Sequence, residues 1–146
     1  MPHRHTVIPA VYILFKKDGK VLCILRKRTS YANGNYSLPA GHVEPHEPAA
    51  EAAAREAKEE VGVTVDPADL RLLHVQHRVS VEGDSERMNL LFEATKWEGE
   101  FANAEPEKCE ELRWFAPDDM PDNLAPELRL MFDRLAQGHA YSDLGF

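Results

Sequence analysis

One segment constrains the fold of this chain more than any other, the run from Gly41 to Val63. If residues 48–61 are helical, steps of about 100° per residue bring Glu56, Glu59 and Glu60 into one sector about 100° wide. An adjoining stripe of small apolar side chains can approach a sheet closely. That stripe consists of Ala50, Ala53, Ala54, Ala57 and Val61. The segment therefore predicts a helix that docks on a sheet and carries three carboxylates beside the docking face.

Both ends of the predicted helix are marked by residue type. Pro48 suits the first helical position, because its missing N–H costs no hydrogen bond there. Gly62 can adopt the left-handed conformation that closes a helix. Arg55 lies one turn before Glu59, in the sector predicted to face solvent. We therefore expect the helix to begin at Pro48 and to end just before Gly62.

Three carboxylates on one helix face raise each other's pKa and destabilise the helix unless a cation neutralises them. Oxygen ligands of this kind favour Mg²⁺, Mn²⁺ or Ca²⁺, and a site that shares its ion with a phosphate favours Mg²⁺ or Mn²⁺. The plainer alternative is a solvated acidic helix face. Gly41, Glu47, Arg55 and Gly62 surround the carboxylates at fixed spacings. Because the whole spacing is present, we interpret the face as a metal site.

Length and composition indicate one domain, spanning residues 1–146, with 43% hydrophobic residues and no apolar run long enough to cross a membrane. The N-terminus lacks the apolar core of a signal peptide. The two cysteines, Cys23 and Cys109, do not have zinc-type spacing. We therefore expect a cytoplasmic protein with reduced thiols and no membrane partner. The tail at 137–146 carries no clear signal.

Charge is distributed unevenly behind the net value of −8. Residues 1–40 carry seven Lys and Arg against one Asp, whereas residues 64–146 carry eight against eighteen Asp and Glu. A basic first segment beside an acidic metal helix suits a phosphate substrate bridged by a cation. A nucleic-acid surface would need a basic stripe over the domain, so we do not expect nucleic acid as a partner.

The remaining elements follow from residue type and periodicity. Val7–Phe15 and Val21–Leu25 predict two antiparallel strands joined at Asp18-Gly19, and Thr29–Asn35 predicts a loop. A second strand pair, a late strand and an amphipathic helix are predicted further along the chain. These are Leu70–Val81 and Arg87–Trp97, joined by a turn at Glu82–Ser85, then Glu111–Phe115, then Pro126–Ala136.

The segment at 41–63 resembles the Nudix box, whose pattern is G-x5-E-x7-R-E-U-x-E-E-x-G-U with U a bulky aliphatic residue. Every fixed letter is met, and the departures are Ala57 at the first aliphatic position and Pro45-His46 where the family often has glycine. The resemblance to MutT-like Nudix hydrolases extends over about residues 5–136. It implies an α/β/α sandwich, with a mixed β-sheet between the box helix and a C-terminal helix.

The resemblance also implies an activity, the metal-dependent hydrolysis of a phosphoanhydride in a nucleoside diphosphate-linked compound. We expect a nucleoside triphosphate as the substrate, giving a nucleoside monophosphate and pyrophosphate. One alternative is a nucleotide-sugar pyrophosphatase of the ADP-ribose type. Another is a nucleotide-sensing module without catalysis. The sequence leaves open the exact nucleotide, the number of metal ions, and whether the chain forms a homodimer.

The family pattern assigns roles to residues of the box. Glu56, Glu59 and Glu60, with the backbone of Gly41, are the implied ligands of Mg²⁺ or Mn²⁺. Glu59 and Glu60 are also implied in catalysis, and Arg55 in bracing the carboxylates. A general base outside the box is expected from an acidic run, within which we favour Glu110 or Glu111. The run comprises Glu105, Glu107, Glu110 and Glu111.

Candidate substrate-binding residues lie outside the box helix. Arg26 is the first, because it resembles the arginine at the end of the family's early strand. Tyr36 could stack on a base, and Gly41 allows the backbone to approach the substrate. Arg78, like its neighbours along the second strand pair, could line a pocket or remain a surface group.

Overall fold

The computed structural model describes residues 4–27, 34–80 and 85–146. Within them the chain forms nine strands, two α-helices and one short 3₁₀ helix at Pro67–Asp69. The strands are β1 (Ile8–Leu14), β2 (Lys16–Lys17), β3 (Lys20–Arg26), β4 (Tyr36–Ser37), β5 (Ala40–His42), β6 (Leu70–Val79), β7 (Glu86–Ala94), β8 (Cys109–Phe115) and β9 (Tyr141–Leu144). The helices are α1 (Ala49–Val61) and α2 (Pro126–Ala136). The predicted loop at 29–35 and turn at 82–85 fall mostly outside the described residues.

The strands form two sheets. The larger has the order β5-β1-β7-β6-β9, in which β1 runs parallel to β7 and β9 parallel to β6, while the other neighbours are antiparallel. In the smaller sheet, β3 pairs antiparallel with β2, β4 and β8. The second predicted strand pair is therefore present as β6 and β7, and the mixed character of the main sheet agrees with the expected fold.

Strand β1 and the residue that follows it, Phe15, supply both layers of the core, because successive side chains of an extended chain point to opposite faces. Val11, Ile13 and Phe15 pack in a cluster with the alanines of α1, whereas Tyr12 and Leu14 pack in a second cluster with α2. All five side chains are buried. The sheet thus lies between α1 and α2, and the predicted α/β/α sandwich is confirmed.

The Asp18-Gly19 hairpin is present, but it joins β2 to β3 rather than β1 to β3. Both turn residues have positive φ, 53° and 73°, as a two-residue turn of the primed type requires. Strand β1 pairs instead with β5 and β7. The predicted pairing of the first two long strands is therefore wrong. The prediction failed because the hairpin signal is local, whereas β7, the partner of β1, lies far along the chain.

The C-terminal tail, which the sequence left unassigned, forms the edge strand β9 beside β6. Its Ser142 is buried and its hydroxyl lies 2.9 Å from Nε2 of His74. A backbone hydrogen bond from Val75 N to Ala140 O continues the pairing. None of the described helices is long and apolar enough to cross a membrane.

Candidate active site

Helix α1 begins immediately after Pro48, which is the N-cap, so its start was predicted one residue early. Gly62 closes the helix with φ 77°. Of the apolar stripe, Ala53, Ala57 and Val61 are buried in the core, while Ala50 and Ala54 are partly buried against it. Ala52, which the phase argument did not include, is also buried. Glu60 is also buried, whereas the side chain of Glu59 is 51% exposed. The acidic face therefore runs from the sheet edge out to solvent.

Arg55 lies at the centre of the acidic cluster. Its guanidinium binds both oxygens of Glu47, through Nε at 2.9 Å and Nη2 at 3.0 Å. Its Nη1 donates to Glu56 at 2.8 Å and lies 3.4 Å from Glu59, and Nη2 also donates to the carbonyl of His42. Planar, bidentate pairing of this kind is geometrically specific to arginine. Arg55 thus ties the box loop to the carboxylates of the helix.

The ionisation of these carboxylates differs with their surroundings. The hydrogen bonds from Arg55 hold the pKa of Glu47 below its usual value. Burial raises the pKa of Glu56, although Arg55 opposes the shift. Burial, reinforced by the charge of Glu56, raises the pKa of Glu60 to about 8. Glu60 accepts a 2.7 Å hydrogen bond from Ala40 N, which stabilises its charged form only in part.

We expect Arg55→Lys to lower the free energy of unfolding by about 1–2 kcal/mol, because an ammonium cannot reproduce the bidentate bond to Glu47 and the bond to Glu56 together. Urea unfolding followed by circular dichroism measures this difference. Lys58→Gln, on the exposed side of the same helix, is the matched control and should change stability by less than about 0.5 kcal/mol. Equal unfolding midpoints for Arg55→Lys and the wild type would show that Arg55 does not brace the cluster.

Gly41 lies in direct contact with Glu56. A Cβ atom at position 41 would lie 2.2 Å from both Cδ and Oε1 of Glu56, well inside van der Waals contact. Only glycine therefore allows β5 to approach the helix while Glu56 keeps its position. The neighbouring Ala40 N–H reaches Glu60. Strand β5 thus presents its backbone to two box carboxylates, and the role of Gly41 towards metal or substrate stays a prediction.

These residues fit a divalent cation. Glu56 and Glu60 are crowded and largely buried, and the backbone of Gly41 lies against them. Among the described residues, no three acidic, histidine or cysteine side chains already converge at metal-binding distances. Glu56 is instead paired with Arg55. Binding an ion would therefore require Glu56 and Glu59 to exchange contacts with Arg55 for contacts with the cation.

Arg26 and Gly41 adjoin a cavity of about 210 Å³ on the far side of β5. The cavity is lined by Ala10, Tyr12, Arg26, Ser37, Ala40, Gly41, His42 and Arg87. Nη1 of Arg26 lies 3.9 Å from Oε1 of Glu60, and its buried Nε has no hydrogen-bond partner in the described part of the chain. Burial and the charge of Arg87 lower the pKa of His42. Arg26 thus connects this cavity with the acidic cluster.

Tyr36 and Arg78 lie elsewhere. The ring of Tyr36 is buried against Phe115, with centroids 4.9 Å apart, and its hydroxyl donates to Glu111. Arg78 lies 3.5 Å from a carboxylate oxygen of Glu127, a buried residue of α2. Neither residue lines the cavity that Arg26 and Gly41 share. A substrate role for either stays a prediction, beside the structural roles observed here.

The glutamates of the acidic run around the start of β8 have different surroundings in the structure. Glu105 lies near the cluster, because the backbone N–H of the preceding residue, Ala104, donates to the carbonyl of Glu60, and the negative charge of Glu105 contributes to the raised pKa of both Glu56 and Glu60. Glu110 is exposed at the bulge where β8 pairs with the end of β3. The carboxylate of Glu111 accepts a hydrogen bond from the hydroxyl of Tyr36. The preference for Glu110 or Glu111 as the base stays a prediction, and Glu105 becomes a stronger candidate.

Two features of the site were not predicted. His46 has φ 62°, a left-handed conformation that explains why glycine often occupies this position in the family. His42, which no sequence pattern singled out, lines the cavity together with Arg87, one of the strand residues that we expected either to line a pocket or to remain a surface group. The pairing of β1 with both β5 and β7 places them together, and no local pattern indicates that pairing.

Comparisons with known proteins agree with this geometry. The NUDIX domain family matches residues 4–135. The chain is 31% identical over 121 residues to the NAD-capped RNA hydrolase NudC of Stutzerimonas stutzeri, covering 82% of this chain and 40% of that protein. It is 33% identical over 114 residues to the oxidized purine nucleoside triphosphate hydrolase of Danio rerio, covering 75% of this chain and 66% of that protein. The chain thus spans about two fifths of the length of its NudC relative.

The fold has been seen before in solved structures. A MutT NUDIX hydrolase from Burkholderia pseudomallei superposes with a TM-score of 0.79 at 30% identity, over 90% of this chain and 99% of that one. The box, the sandwich and the position of α1 therefore agree with one family over nearly the whole length. On the match over residues 4–135 and this shared fold, the chain belongs to the Nudix hydrolase family.

Proposed function

We propose that this protein hydrolyses a phosphoanhydride bond of a nucleoside diphosphate-linked compound, with Mg²⁺ or Mn²⁺, and that its substrate is a nucleoside triphosphate. The observation that supports this most is the contact of Gly41 with Glu56, since a backbone held that close to a carboxylate suits a shared cation. The basic cavity on the other side of Gly41 would receive the substrate. Members of the family named as hydrolases agree with this activity.

The ligands in this proposal are the carboxylates of Glu56, Glu59 and Glu60 and the backbone of Gly41. When bound, the cation would neutralise phosphate oxygens, make water more acidic and align the reacting groups. Arg55 would hold the carboxylates of Glu56 and Glu59 in position through its hydrogen bonds to them. The ligand set is acidic and oxygen-only, which favours Mg²⁺ or Mn²⁺ over transition metals that prefer nitrogen or sulfur.

In the reaction, a water molecule attacks a phosphorus atom, its proton passes to a carboxylate, and pyrophosphate leaves with the electrons of the broken P–O bond. We propose Glu105 as that carboxylate, because a backbone hydrogen bond from Ala104 N to Glu60 O places this loop beside the box helix and the charge of Glu105 helps to raise the pKa of both Glu56 and Glu60. Glu110, Glu111 and Glu59 remain the other candidates. Arg26, 3.9 Å from Glu60, would bind phosphate oxygens from the cavity side.

Of the two alternatives, only the first has a specific observation in its favour. A nucleotide-sugar or dinucleotide substrate fits the relative named for NAD-capped RNA, since NAD contains a diphosphate linkage. A sensor without catalysis would bind nucleotide through the same fold. Against the sensor, the chain retains Glu56, Glu59 and Glu60, whose mutual repulsion a pure binding module has no need to keep. We therefore place hydrolysis of a nucleoside triphosphate first.

A substrate panel with Mg²⁺ and with Mn²⁺ tests the proposal. The panel contains ordinary and oxidised nucleoside triphosphates, ADP-ribose and a dinucleoside polyphosphate, and chromatography identifies the products. We expect a nucleoside triphosphate to give a monophosphate and pyrophosphate with the highest kcat/KM. A higher kcat/KM for ADP-ribose would favour the nucleotide-sugar alternative. Nucleotide binding without turnover of any member would favour the sensor.

A further inference from the structure

We propose that a second cavity, between the main sheet and the end of α2, binds a small amphipathic anion of the medium-chain carboxylate class. This α2 cavity has a volume of about 370 Å³. Its described lining residues lie outside both the box at 41–63 and the cavity that contains Arg26. The inference therefore goes beyond the proposed function, and its test does not depend on turnover of any nucleotide.

The α2 cavity lies where the helix packs less tightly on the sheet. Leu128 and Met131 are fully buried, whereas Phe132 and Leu135, which line the cavity, are only partly buried. The buried Leu14 of β1 lines the cavity from the sheet. The space between the end of α2 and the sheet is thus walled by apolar side chains that do not fill it.

A β-bulge in β6 contributes to the wall. The register between β6 and β7 shifts between Leu72 and His74, so Leu73 is the extra residue. A bulge re-aims side chains relative to a regular strand. Leu73 packs with the cluster around α2 and lines the cavity, whereas Leu72 is 50% exposed. Leu73 thus extends the apolar wall to which Leu14 belongs.

The composition and size of the cavity indicate an apolar ligand of about a dozen heavy atoms. Eight of its eleven described lining residues are apolar, and the other three are charged. Burial of apolar surface in such a wall is favourable in proportion to its area. The volume of about 370 Å³ lies within the range of about 300–1,000 Å³ typical of ligand sites. At about 30 Å³ for each water-sized atom, it accommodates a molecule of the size of decanoate.

The charges at the mouth of the cavity favour an anionic head group. The mouth is marked by exposed lining residues, among them Lys16, Arg71 and Ala136. Arg71 pairs with Glu93 at 2.6 Å, so these two charges compensate each other. Among the described residues, no carboxylate pairs with Lys16. A bound carboxylate would complement this ammonium while the apolar part of the ligand enters the cavity.

Titration calorimetry compares decanoate with a shorter anion, hexanoate, and with a cation of similar length, decylammonium. We expect the wild type to bind decanoate at a single site and hexanoate about 10²-fold more weakly, because fewer CH₂ groups are buried. Decylammonium should bind at least about tenfold more weakly than decanoate, since its charge repels Lys16. The chain carries a net charge of −8, so a non-specific charge effect would favour the cation instead. Equal or tighter binding of decylammonium, or no saturable binding of decanoate, would overturn the proposal.

Two neighbouring lysines of β2 provide a matched pair of variants. Lys16→Gln and Lys17→Gln each remove one positive charge, but only Lys16 is among the described lining residues. Lys16→Gln should weaken decanoate binding about fivefold, the size expected for one exposed ion pair, and should not weaken decylammonium binding. Lys17→Gln should leave both affinities close to the wild-type values. Equal effects of the two substitutions on decanoate would contradict a specific contact with Lys16.

A third variant locates the apolar part of the ligand. Ala136 is the last residue of α2 and is exposed at the mouth, so a larger side chain there is compatible with the fold. We expect Ala136→Trp to weaken decanoate binding at least about tenfold by obstructing the mouth, with thermal unfolding unchanged. Asp133→Trp, at an exposed position of the same helix outside the lining, is the control and should bind as the wild type does. If Ala136→Trp bound decanoate as tightly as Asp133→Trp, the α2 cavity would not be the site.

Discussion

We expect Glu60→Gln to lower kcat/KM by at least about 10³-fold while the protein stays folded, a loss equivalent to about 4 kcal/mol of transition-state stabilisation. The amide keeps an oxygen that can accept the 2.7 Å hydrogen bond from Ala40 N, so the local packing is preserved. What is lost is the negative charge that would bind the cation. Steady-state kinetics with Mg²⁺, beside a circular dichroism spectrum, measures both parts of this expectation.

The same substitution should stabilise the chelated protein at alkaline pH. Burial, with the neighbouring charge of Glu56, raises the pKa of Glu60 in the folded state to about 8, well above its ordinary value of 4.5. Between these two values the folded state binds a proton that the unfolded state has released, so stability falls as pH rises through this window. Glu60→Gln removes that dependence. At pH 8 in EDTA we expect the variant to be more stable than the wild type, on the order of 2 kcal/mol.

Glu51→Gln is the matched control for both effects. Glu51 is an exposed glutamate of the same helix and lies outside the acidic face. It should leave kcat/KM and the pH dependence of stability close to the wild-type values. If Glu60→Gln retained wild-type turnover, the carboxylate would have no role in the reaction. If the wild-type free energy of unfolding in EDTA did not fall between pH 5 and pH 8, ionisation of the buried Glu60 would not destabilise the folded protein.

The second large effect is expected for Gly41→Ala, which should reduce kcat/KM about 10²-fold with little loss of stability. The new methyl group would lie 2.2 Å from the carboxylate of Glu56. The far end of a glutamate is flexible, so we expect Glu56 to move and the fold to be retained. A displacement of about 1 Å in a catalytic group can cost 10²-fold in rate. Kinetics and thermal unfolding together measure the two outcomes.

Two further variants test the cause of this effect. Gly138→Ala is a control away from the site, where open space surrounds the new methyl group but φ is +83°. It should cost some stability and no activity. Combining Gly41→Ala with Glu56→Asp shortens the clashing side chain, so the two losses should be less than additive. Fully additive losses would contradict direct contact between the two residues.

The helix and its chemistry were predictable because they are local. Three carboxylates and a row of alanines are placed by the angular step of a single helix, and that step does not depend on the rest of the chain. The signals at Gly62 and at Pro126–Ala136 are local too, and both elements end or begin where the sequence predicts. The family pattern then added the order of layers, which periodicity alone does not give.

Pairings between distant strands were not predictable in the same way. Strand β1 runs parallel to β7 in the main sheet, and no turn joins the two strands, so no local signal indicates their pairing. The tail strand β9 is short, and its sequence Tyr-Ser-Asp-Leu contains two polar residues, so it carries a weak strand signal. Its burial depends on His74 and on α2, which only the folded chain brings near.

In the candidate site, too, the contacts between sequence neighbours were predictable, whereas those between distant segments were not. Glu56, Glu60 and Arg55 are neighbours in the sequence, and their contacts follow from that spacing. Arg87 comes to the cavity through a parallel pairing, and Glu105 comes to the carboxylates through a loop before β8. A run of four glutamates offers no local signal that separates one from another. Substrate specificity therefore lies in the part of the site that the box does not encode.

The most direct test of the central claim is the binding of Mn²⁺, followed by electron paramagnetic resonance, to the wild type and to two helix variants. If the acidic face is a metal site, the wild type binds Mn²⁺ and Glu60→Gln weakens binding at least about tenfold, since loss of even a residue that only orients a metal ligand costs about 10–100-fold in affinity. Glu51→Gln, on the same helix, leaves binding unchanged. Equal Mn²⁺ affinity in all three proteins would identify a solvated acidic surface and contradict the account.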